Sequence, residues 1–210
     1  MTFLELCQRL HQEVGAAGNG PANVAGQSGE YARLIGWVQT AWREIQLERV
    51  DWRFAWAQGE IEVFDEFRTY ELPDDFSEWR KHTLRLEGES LRVAEWDDFQ
   101  TVYREPTGNG PRVATIAPNR VVHLDDFPRQ SSSALTFEYW RTPQTLDSNN
   151  DAPRLPERYH MAIIYRAMLQ YGLYENAPEV VQQASANYRE VMMRVAATEL
   201  PPINTGEALA

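Results

Sequence analysis

Two reactive or strongly solvated residue types are almost missing from the sequence. The chain of 210 residues contains one cysteine, Cys7, and a single lysine, Lys81, beside 19 arginines. One cysteine cannot form a disulfide within the chain. Cys7 lies on the apolar stripe of the first predicted helix, so we expect a small buried side chain rather than a catalytic thiol. Arginine suits pairing in desolvated places better than lysine does, although a GC-rich genome gives the same bias.

A long uninterrupted apolar segment is also lacking. Between Tyr159 and Tyr174 the chain is apolar except at four positions, among them His160 and Arg166. This run is shorter than the roughly 20 apolar residues that a spanning helix needs. Charged residues, beginning with Glu5, interrupt the first apolar run, which is therefore unlike the core of a signal peptide. We expect no membrane partner and an intracellular or virion-borne protein.

The usual sequence motifs of catalysis are not found. There is no glycine-rich phosphate loop with lysine, no pair of cysteines at zinc spacing and no serine in a nucleophile elbow. The four histidines are far apart, and Glu157 with His160 can form a carboxylate and imidazole pair at i, i+3 spacing on a predicted helix. Di-iron bundles need several such pairs. We predict that the protein is not an enzyme and has no catalytic residue, metal or cofactor.

The tripeptide Asp-Asp-Phe occurs three times and offers the one alternative. It begins at Asp74, Asp97 and Asp125, and paired carboxylates can bind Mg²⁺ or act as acid and base. The first pair follows Pro73 in a predicted turn, the second lies in the first turn of a short helix, and the third ends a strand. Turn and capping roles explain all three pairs. A small-molecule or metal-dependent enzyme that uses these residues stays open as an alternative.

The net charge of -11 is concentrated in the middle of the chain, where residues 61–150 hold 17 acidic and 10 basic side chains. Tight binding to nucleic acid rests on lysine and arginine that neutralise phosphates. We therefore expect no tight grip on DNA.

Helical spacing marks both ends of the chain. Thr2 and Glu5 have the spacing of a capping box and start a first helix. A loop with five glycines follows at 15–29 and is predicted to be mobile. Ser28 can cap a second helix, in which Trp37 lies off the apolar stripe; such a tryptophan packs more often on its own chain than on a partner. After a polar connection, Pro156 and Pro178 can open two further helices.

The middle of the chain changes to a period of two from Gly59 onward. Two strands are predicted around Asp65 and Glu66, a hairpin that turns at 87–90, a second hairpin that turns at Pro118 and Asn119, and a last strand over 134–140. Trp96 begins a short helix between the hairpins.

The predicted fold is an α+β fold: a helical bundle of two N-terminal and two C-terminal helices, interrupted by an antiparallel β-rich domain. The bundle is assigned to 1–58 and 151–199, the β-rich insertion domain to 59–150, and an extended C-terminal tail to 200–210. The helix at 157–174 is apolar nearly all round. It is predicted to be central, with one face on its own bundle and the other on the β-rich domain or on another copy of the chain.

Several stretches of this sequence resemble the adaptor proteins of short-tailed bacteriophages, also called head-to-tail connector or tail tubular proteins. The resemblance covers most of the chain and is carried by MTFLELCQRLHQEVG, GEYARLIGWVQTAWREIQ with DWRF after it, YELPDDF, and LPERYHMAIIYRAMLQYGLYENAPEVVQQASANYREVM.

This resemblance implies a structural virion protein. Such adaptors form a homo-oligomeric ring of about twelve copies beneath the portal, between capsid and tail. The implied partners are the portal protein and a tail nozzle or tail tube protein, with DNA passing through and not held tightly. The implied location is the neck of the virion, and the host cytoplasm during assembly. A regulatory protein that is absent from particles is a further alternative.

The resemblance also implies roles for particular residues. The C-terminal tail would reach the portal through Leu200, Pro201, Pro202, Ile203 and Asn204. Subunits would pack through Trp37, Tyr165, Met168 and Tyr171. Acidic side chains that line the channel and bind phosphate poorly would be Asp97, Asp98, Asp125 and Asp126. Surface solubility explains these four carboxylates equally well.

Overall fold

The computed structural model describes residues 1–80 and 82–201, and the chain forms two compact units. The helical unit comprises Met1–Ala55 and the chain from Pro143 onward, and the sheet unit is Trp56–Thr142. The sequence interpretation set the corresponding limits at 58/59 and 150/151. The predicted α+β class, with helices at both ends of the chain, is confirmed. No helix among the described residues has the length and apolar character to cross a bilayer.

Four helices form the helical unit. They are α1 (Phe3–Glu13), α2 (Gly29–Leu47), α4 (Met161–Tyr174) and α5 (Pro178–Glu199), while α3 (Trp96–Val102) belongs to the sheet unit. The predicted capping box is present, since Thr2 Oγ1 accepts from Glu5 N and the Glu5 carboxylate accepts from Thr2 N. Ser28 occupies the N-cap of α2 without a side-chain capping bond. Pro156 precedes a short 3-10 turn rather than starting α4 itself.

Helix α4 is covered by its own unit. It contacts α1, α2 and α5, and the residues that it buries are Ala162, Ile163, Ile164, Ala167, Met168 and Gly172. These contacts cover most of α4 within its own unit, and the predicted contact of its second apolar face with the sheet unit or with another copy of the chain stays a prediction. The large apolar side chains of α4 that remain exposed, Leu173 and Tyr174, lie at its C-terminal end.

Arg166, the one charged residue of α4, joins three helices. Its Nε donates to Glu44 Oε2 of α2 at 2.7 Å, and its guanidinium lies 5.5 Å from the centroid of the Tyr188 ring of α5. The Tyr188 hydroxyl donates to Glu48. Burial and the Glu48 carboxylate raise the pKa of Tyr188, so the phenol stays protonated as a donor.

The segments that flank α2 are tied into the same core. Trp52, in the DWRF segment, donates from Nε1 to Ile45 O at 3.0 Å and stacks on Phe54 at 5.4 Å. Cys7 is fully buried, and burial raises the pKa of its thiol to about 12. The glycine-rich loop, predicted to be mobile, is anchored because Val24 is buried and its N–H donates to the Asn149 side chain at 2.8 Å.

The sheet unit contains two sheets rather than the single antiparallel sheet predicted. The first consists of β1 (Trp56–Val63), β3 (Phe76–Trp79), β4 (Arg85–Leu86), β5 (Glu89–Ser90) and β9 (Ser133–Arg141). The second has the order β2 (Thr69–Glu71), β8 (Val121–Leu124), β7 (Val113–Ile116), β6 (Arg92–Val93). Both sheets contribute side chains to one core. The hairpin that turns at Pro118 and Asn119 is confirmed.

The other predicted hairpin is shorter than expected. Its turn is confined to Glu87 and Gly88, which have φ values of 53° and 84°, as type I′ turns require. Glu89 and Ser90 then pair with Leu86 and Arg85. The chain leaves for the second sheet directly afterwards, and there β6 runs parallel to β7.

The contact between α4 and α5 predicts opposite effects for two helical glycines. A Cβ on Gly172 would lie 2.8 Å from Val181 Cγ2 and 3.3 Å from two backbone atoms, whereas one on Gly36 meets nothing within 4 Å. Gly172→Ala should lower the free energy of unfolding by about 1–3 kcal/mol because the helices must separate. Gly36→Ala, the matched control, should raise it by about 0.5–1 kcal/mol through helix propensity. Urea denaturation measures both, and equal effects would contradict this packing.

Candidate functional site

The four acidic side chains considered for a channel occupy unlike surroundings. Asp126 is only 2% exposed. Its Oδ2 accepts from Thr107 Oγ1 at 3.0 Å, Asn109 N at 2.8 Å and Gly110 N at 3.1 Å, and its Oδ1 accepts from Phe127 N at 2.9 Å. Asp126 therefore holds a loop together and has no free carboxylate to present to a channel.

The electrostatics of Asp126 follow from these bonds. Burial alone would raise the pKa of this carboxyl, but the hydrogen bonds from Phe127, Thr107, Asn109 and Gly110 outweigh burial and lower the pKa. The group is thus a carboxylate with its acceptor sites in use.

The other three acidic candidates for the channel also differ in how far their carboxylates are exposed. Asp125 is half-buried, and its Oδ1 accepts from Arg112 N at 2.9 Å and Val113 N at 3.0 Å. Asp97 and Asp98 lie in the first turn of α3 with exposed side chains. They are the members of the predicted acidic set whose carboxylates are open to solvent.

The predicted pair of Glu157 and His160 surrounds an amino group instead of a metal. The Met1 amino group lies 2.9 Å from Glu157 Oε1 and 3.0 Å from His160 Nδ1. The other ring nitrogen of His160 lies 2.8 Å from Leu155 O. Burial is the main cause of the lowered pKa of His160. Within residues 1–80 and 82–201 no group of three or more His, Cys, Asp or Glu side chains could hold a metal ion.

The candidates for subunit packing lie around the C-terminal half of α4. Trp37 packs edge-on against Tyr171 with ring centroids 5.8 Å apart, and it also contacts Tyr174 at 5.6 Å. This packing within the chain agrees with the preference expected for a tryptophan off the apolar stripe. Tyr165 is half-buried, and Met168 is 4% exposed and belongs to the core of the helical unit. Met168 thus has little surface left for a neighbouring subunit.

The residues considered for portal binding begin where α5 ends. Leu200 is half-buried against the helical core and Pro201 is exposed. Pro202, Ile203 and Asn204 lie outside the described residues.

Sequence reasoning missed the exposed apolar side chains. Leu173 is 73% exposed on a helix whose pattern predicts burial all round. Phe64, Phe67 and Phe127 are exposed on two neighbouring loops of the sheet unit, which are bonded to each other through Asp65 and Ser131. In the sequence these loops are marked by the end of the alternation of apolar and polar residues. That signal does not indicate which of their side chains are exposed to solvent.

A comparison with protein families covers both units. The family model described as SU10 adaptor protein matches residues 1–205. The chain belongs to the SU10 adaptor protein family. The resemblance to phage adaptors is thereby confirmed, while the restriction to short-tailed phages stays a prediction. No curated protein is significantly similar to the chain.

Family membership makes this adaptor a structural phage protein. It also implies that the adaptor associates with portal and tail proteins at the neck of the virion. The candidate functional sites that follow from this family are the surfaces through which the adaptor associates with other virion proteins.

The buried carboxylate of Asp126 predicts a pH-dependent contribution to the stability of the adaptor. Asp126→Asn should lower the free energy of unfolding at neutral pH by about 1–3 kcal/mol, because an amide nitrogen would face backbone donors. The pKa of Asp126 is lower in the folded state, so its stabilisation is full above the ordinary aspartate pKa of about 4 and is lost as the pH falls further. Denaturation curves at several pH values should show that the difference in the free energy of unfolding between wild type and Asp126→Asn becomes smaller in acid.

Asp98→Asn is the matched control, because it makes the same change at an exposed position. It should alter stability by less than about 0.5 kcal/mol. If the difference in the free energy of unfolding between wild type and Asp126→Asn stayed constant from pH 7 down to pH 3, this would contradict a stabilising Asp126 carboxylate.

Proposed function

We propose that the protein forms a closed ring beneath the portal of a short-tailed phage, joins the capsid to the tail, and lets DNA pass during ejection. The observation that carries this proposal is the family match over residues 1–205, which includes both the helical unit and the sheet unit. A ring of about twelve copies, the number taken from the resemblance to such adaptors, needs two complementary surfaces on each copy.

The exposed end of α4 is our candidate for one of these surfaces. Leu173 and Tyr174 are exposed, and the Tyr174 ring contacts Trp37, which also packs against Tyr171. The Arg33 guanidinium lies 4.8 Å from the Tyr174 ring centroid and adds a cation at the edge of the apolar area. Clustered exposed apolar side chains mark interaction sites. We therefore assign subunit contacts to this surface; the half-buried Tyr165 of α4 is a further candidate, and Met168 is left out because it is only 4% exposed.

The portal contact is assigned to the chain that follows α5. Leu200 is the C-cap of α5 and packs against the helical core, and Pro201 follows it with an exposed side chain. By analogy with the adaptors that this sequence resembles, the segment 200–204 reaches the portal.

The charge of the sheet unit suits a passage for DNA. The middle of the chain is acidic, and an acidic wall does not bind phosphate groups and so does not retard them. Asp97 and Asp98 have exposed carboxylates, and we assign the channel side of the sheet unit to them.

The stoichiometry in virions tests the ring. Mass spectrometry of purified particles should find this chain equimolar with the portal protein, since stacked rings of one symmetry contain equal numbers of copies. Absence from the particles would remove the structural role and favour the regulatory alternative.

A variant of Leu173 extends the same measurement to the subunit surface. Leu173→Asp should leave the free energy of unfolding within about 0.5 kcal/mol of wild type, because the side chain is 73% exposed. It should nevertheless lower the amount of the chain in particles severalfold. Val102→Asp is the control, because it also introduces an aspartate in place of an exposed aliphatic side chain, which is 66% exposed in the sheet unit. Equal losses for the two variants would contradict a specific role of the α4 end.

Charge reversal tests the proposed passage. The double variant Asp97→Lys and Asp98→Lys should slow DNA ejection in vitro, and the slowing should decrease at high salt because screening weakens binding to phosphate. Glu62→Lys with Glu71→Lys makes the same change in charge at two other exposed positions of the sheet unit. Unchanged ejection rates for the first variant, or equal slowing in both, would refute the assignment of Asp97 and Asp98.

A further inference from the structure

Strand β6 leaves the edge of the second sheet open at Val93, while on the same side of the chain Leu91 N already donates to Leu84 O at 2.9 Å. Arg92 N donates to Arg112 O and Ala94 N donates to Ala114 O, both at 2.9 Å, so these two N–H groups point toward β7. Because the backbone groups of successive strand residues point to opposite sides, the N–H and C=O of Val93 point away from β7. Strand β6 is the last in the order of its sheet, and Val93 is 43% exposed.

A cavity of about 520 Å³ borders this strand within the sheet unit. Its lining comes from both sheets and consists of the run from Leu91 to Trp96, Thr115 and Ile116 of β7, Ser77, Glu78 and Trp79 of β3, and His82. The cavity thus combines apolar and aromatic walls with an open strand edge, the two features that recognise an extended peptide by strand addition.

Two polar atoms of the lining residues are buried without a partner. Among the described residues, neither Trp79 Nε1 nor Thr115 Oγ1 has a hydrogen-bond partner, and the side chains of Trp79 and Thr115 are only 6% and 1% exposed. Such groups are rare in folded proteins and call for an explanation. Both atoms are shielded from solvent in the free protein, so a ligand would reach the indole N–H only after the wall of the cavity moves.

The charged side chains around the cavity indicate which kind of peptide segment would bind there. Glu78 and Glu95 have exposed side chains, and no ion pair joins either of them to another described residue. The arginine of this wall is directed elsewhere, because Arg92 Nη2 donates to the Tyr103 hydroxyl at 2.6 Å and its guanidinium lies 5.4 Å from the Tyr103 ring centroid. The rim therefore offers two carboxylates to a cationic partner.

We propose that an extended, basic segment of a partner protein adds as a strand along β6. Its backbone pairs with Val93, its apolar side chains enter the cavity beside Trp79 and Trp96, and its lysine or arginine side chains reach Glu78 and Glu95. A second copy of this chain is a poorer occupant, because the chain carries a net charge of -11. The proposal rests on the sheet unit alone and does not depend on ring formation.

The first test uses a short peptide that alternates lysine and valine, added to the full-length protein. Hydrogen exchange followed by NMR should show that the Val93 amide exchanges faster than the amides of Arg92 and Ala94 in the free protein. Saturating peptide should protect the Val93 amide. The same peptide with glutamate in place of lysine should bind at least about tenfold more weakly, because it would face like charges.

Substitutions identify the groups that bind. Val93→Pro removes an N–H that faces the open side, where proline is tolerated on an edge strand, and should weaken the lysine and valine peptide about fivefold to tenfold. Glu78→Gln with Glu95→Gln should weaken it about fivefold and reduce its salt dependence. Glu62→Gln with Glu71→Gln is the matched control in the same unit and should bind as wild type does.

Each contrary outcome overturns the proposal. Binding of the lysine and glutamate peptides with equal affinity would refute the selection by charge. A Val93 amide that the bound peptide leaves unprotected would refute strand addition. Protection of Val93 that rises with protein concentration in the absence of peptide would show that a second copy is the occupant. If Val93→Pro fails to fold by circular dichroism, the glutamine double variant and its control decide the matter.

Discussion

The structure of the helical unit depends on the need to cover the apolar surface of α4, which its neighbouring helices bury except at the C-terminal residues Leu173 and Tyr174. A helix with apolar residues round most of its circumference loses stability wherever water reaches it. Helices α1 and α2 precede the sheet unit in the chain and α5 follows α4, so the cover comes from both ends of the sequence. The chain must therefore leave the helical unit after Ala55 and return at Pro143 in a fixed position.

Glutamine side chains secure the return of the chain. Gln46 of α2 donates from Nε2 to Gln144 O at 3.0 Å and accepts from Gln144 N at 2.7 Å, which imitates one rung of a β-ladder. The Gln144 side chain in turn donates to Ala152 O and accepts from Arg154 N, both at 2.9 Å. Gln39 donates to Leu146 O at 2.8 Å. These contacts satisfy backbone groups of an irregular segment that would otherwise be buried unpaired, and they order the approach to α4.

Local patterns were enough to predict the elements but not their partners. The capping box, the proline at the start of α5 and the hairpin around Pro118 are encoded by residues close together in sequence, and the structure contains all three. The two sheets could not be predicted, because β1 pairs with β9 from the far end of the unit, Trp56 opposite Trp140. Alternating hydrophobicity specifies which face of a strand is buried, but it does not specify which other strand lies next to it in the sheet.

The three Asp-Asp-Phe tripeptides show that local sequence also does not determine the surroundings of the candidate site residues. Asp75 accepts from the Tyr139 hydroxyl at 2.8 Å, Asp98 is exposed in the first turn of α3, and Asp126 is buried under four hydrogen bonds. The phenylalanine is buried in the first two copies and exposed in the third, at Phe127. One short motif thus takes three conformations, because long-range contacts decide which groups water can reach.

The shortage of lysine can be connected with the acidic surface. The guanidinium groups that lie over aromatic rings, 4.8 to 5.5 Å from the centroids, belong to Arg33, Arg68, Arg92, Arg158 and Arg166. A planar, weakly hydrated guanidinium stacks on such rings where an ammonium would stay in water. Three of these arginines, Arg33, Arg92 and Arg158, are nevertheless exposed to solvent, as are the carboxylates of Glu78 and Glu95. The net charge of -11, with 31 acidic against 20 basic side chains, makes the electrostatic field outside the protein negative.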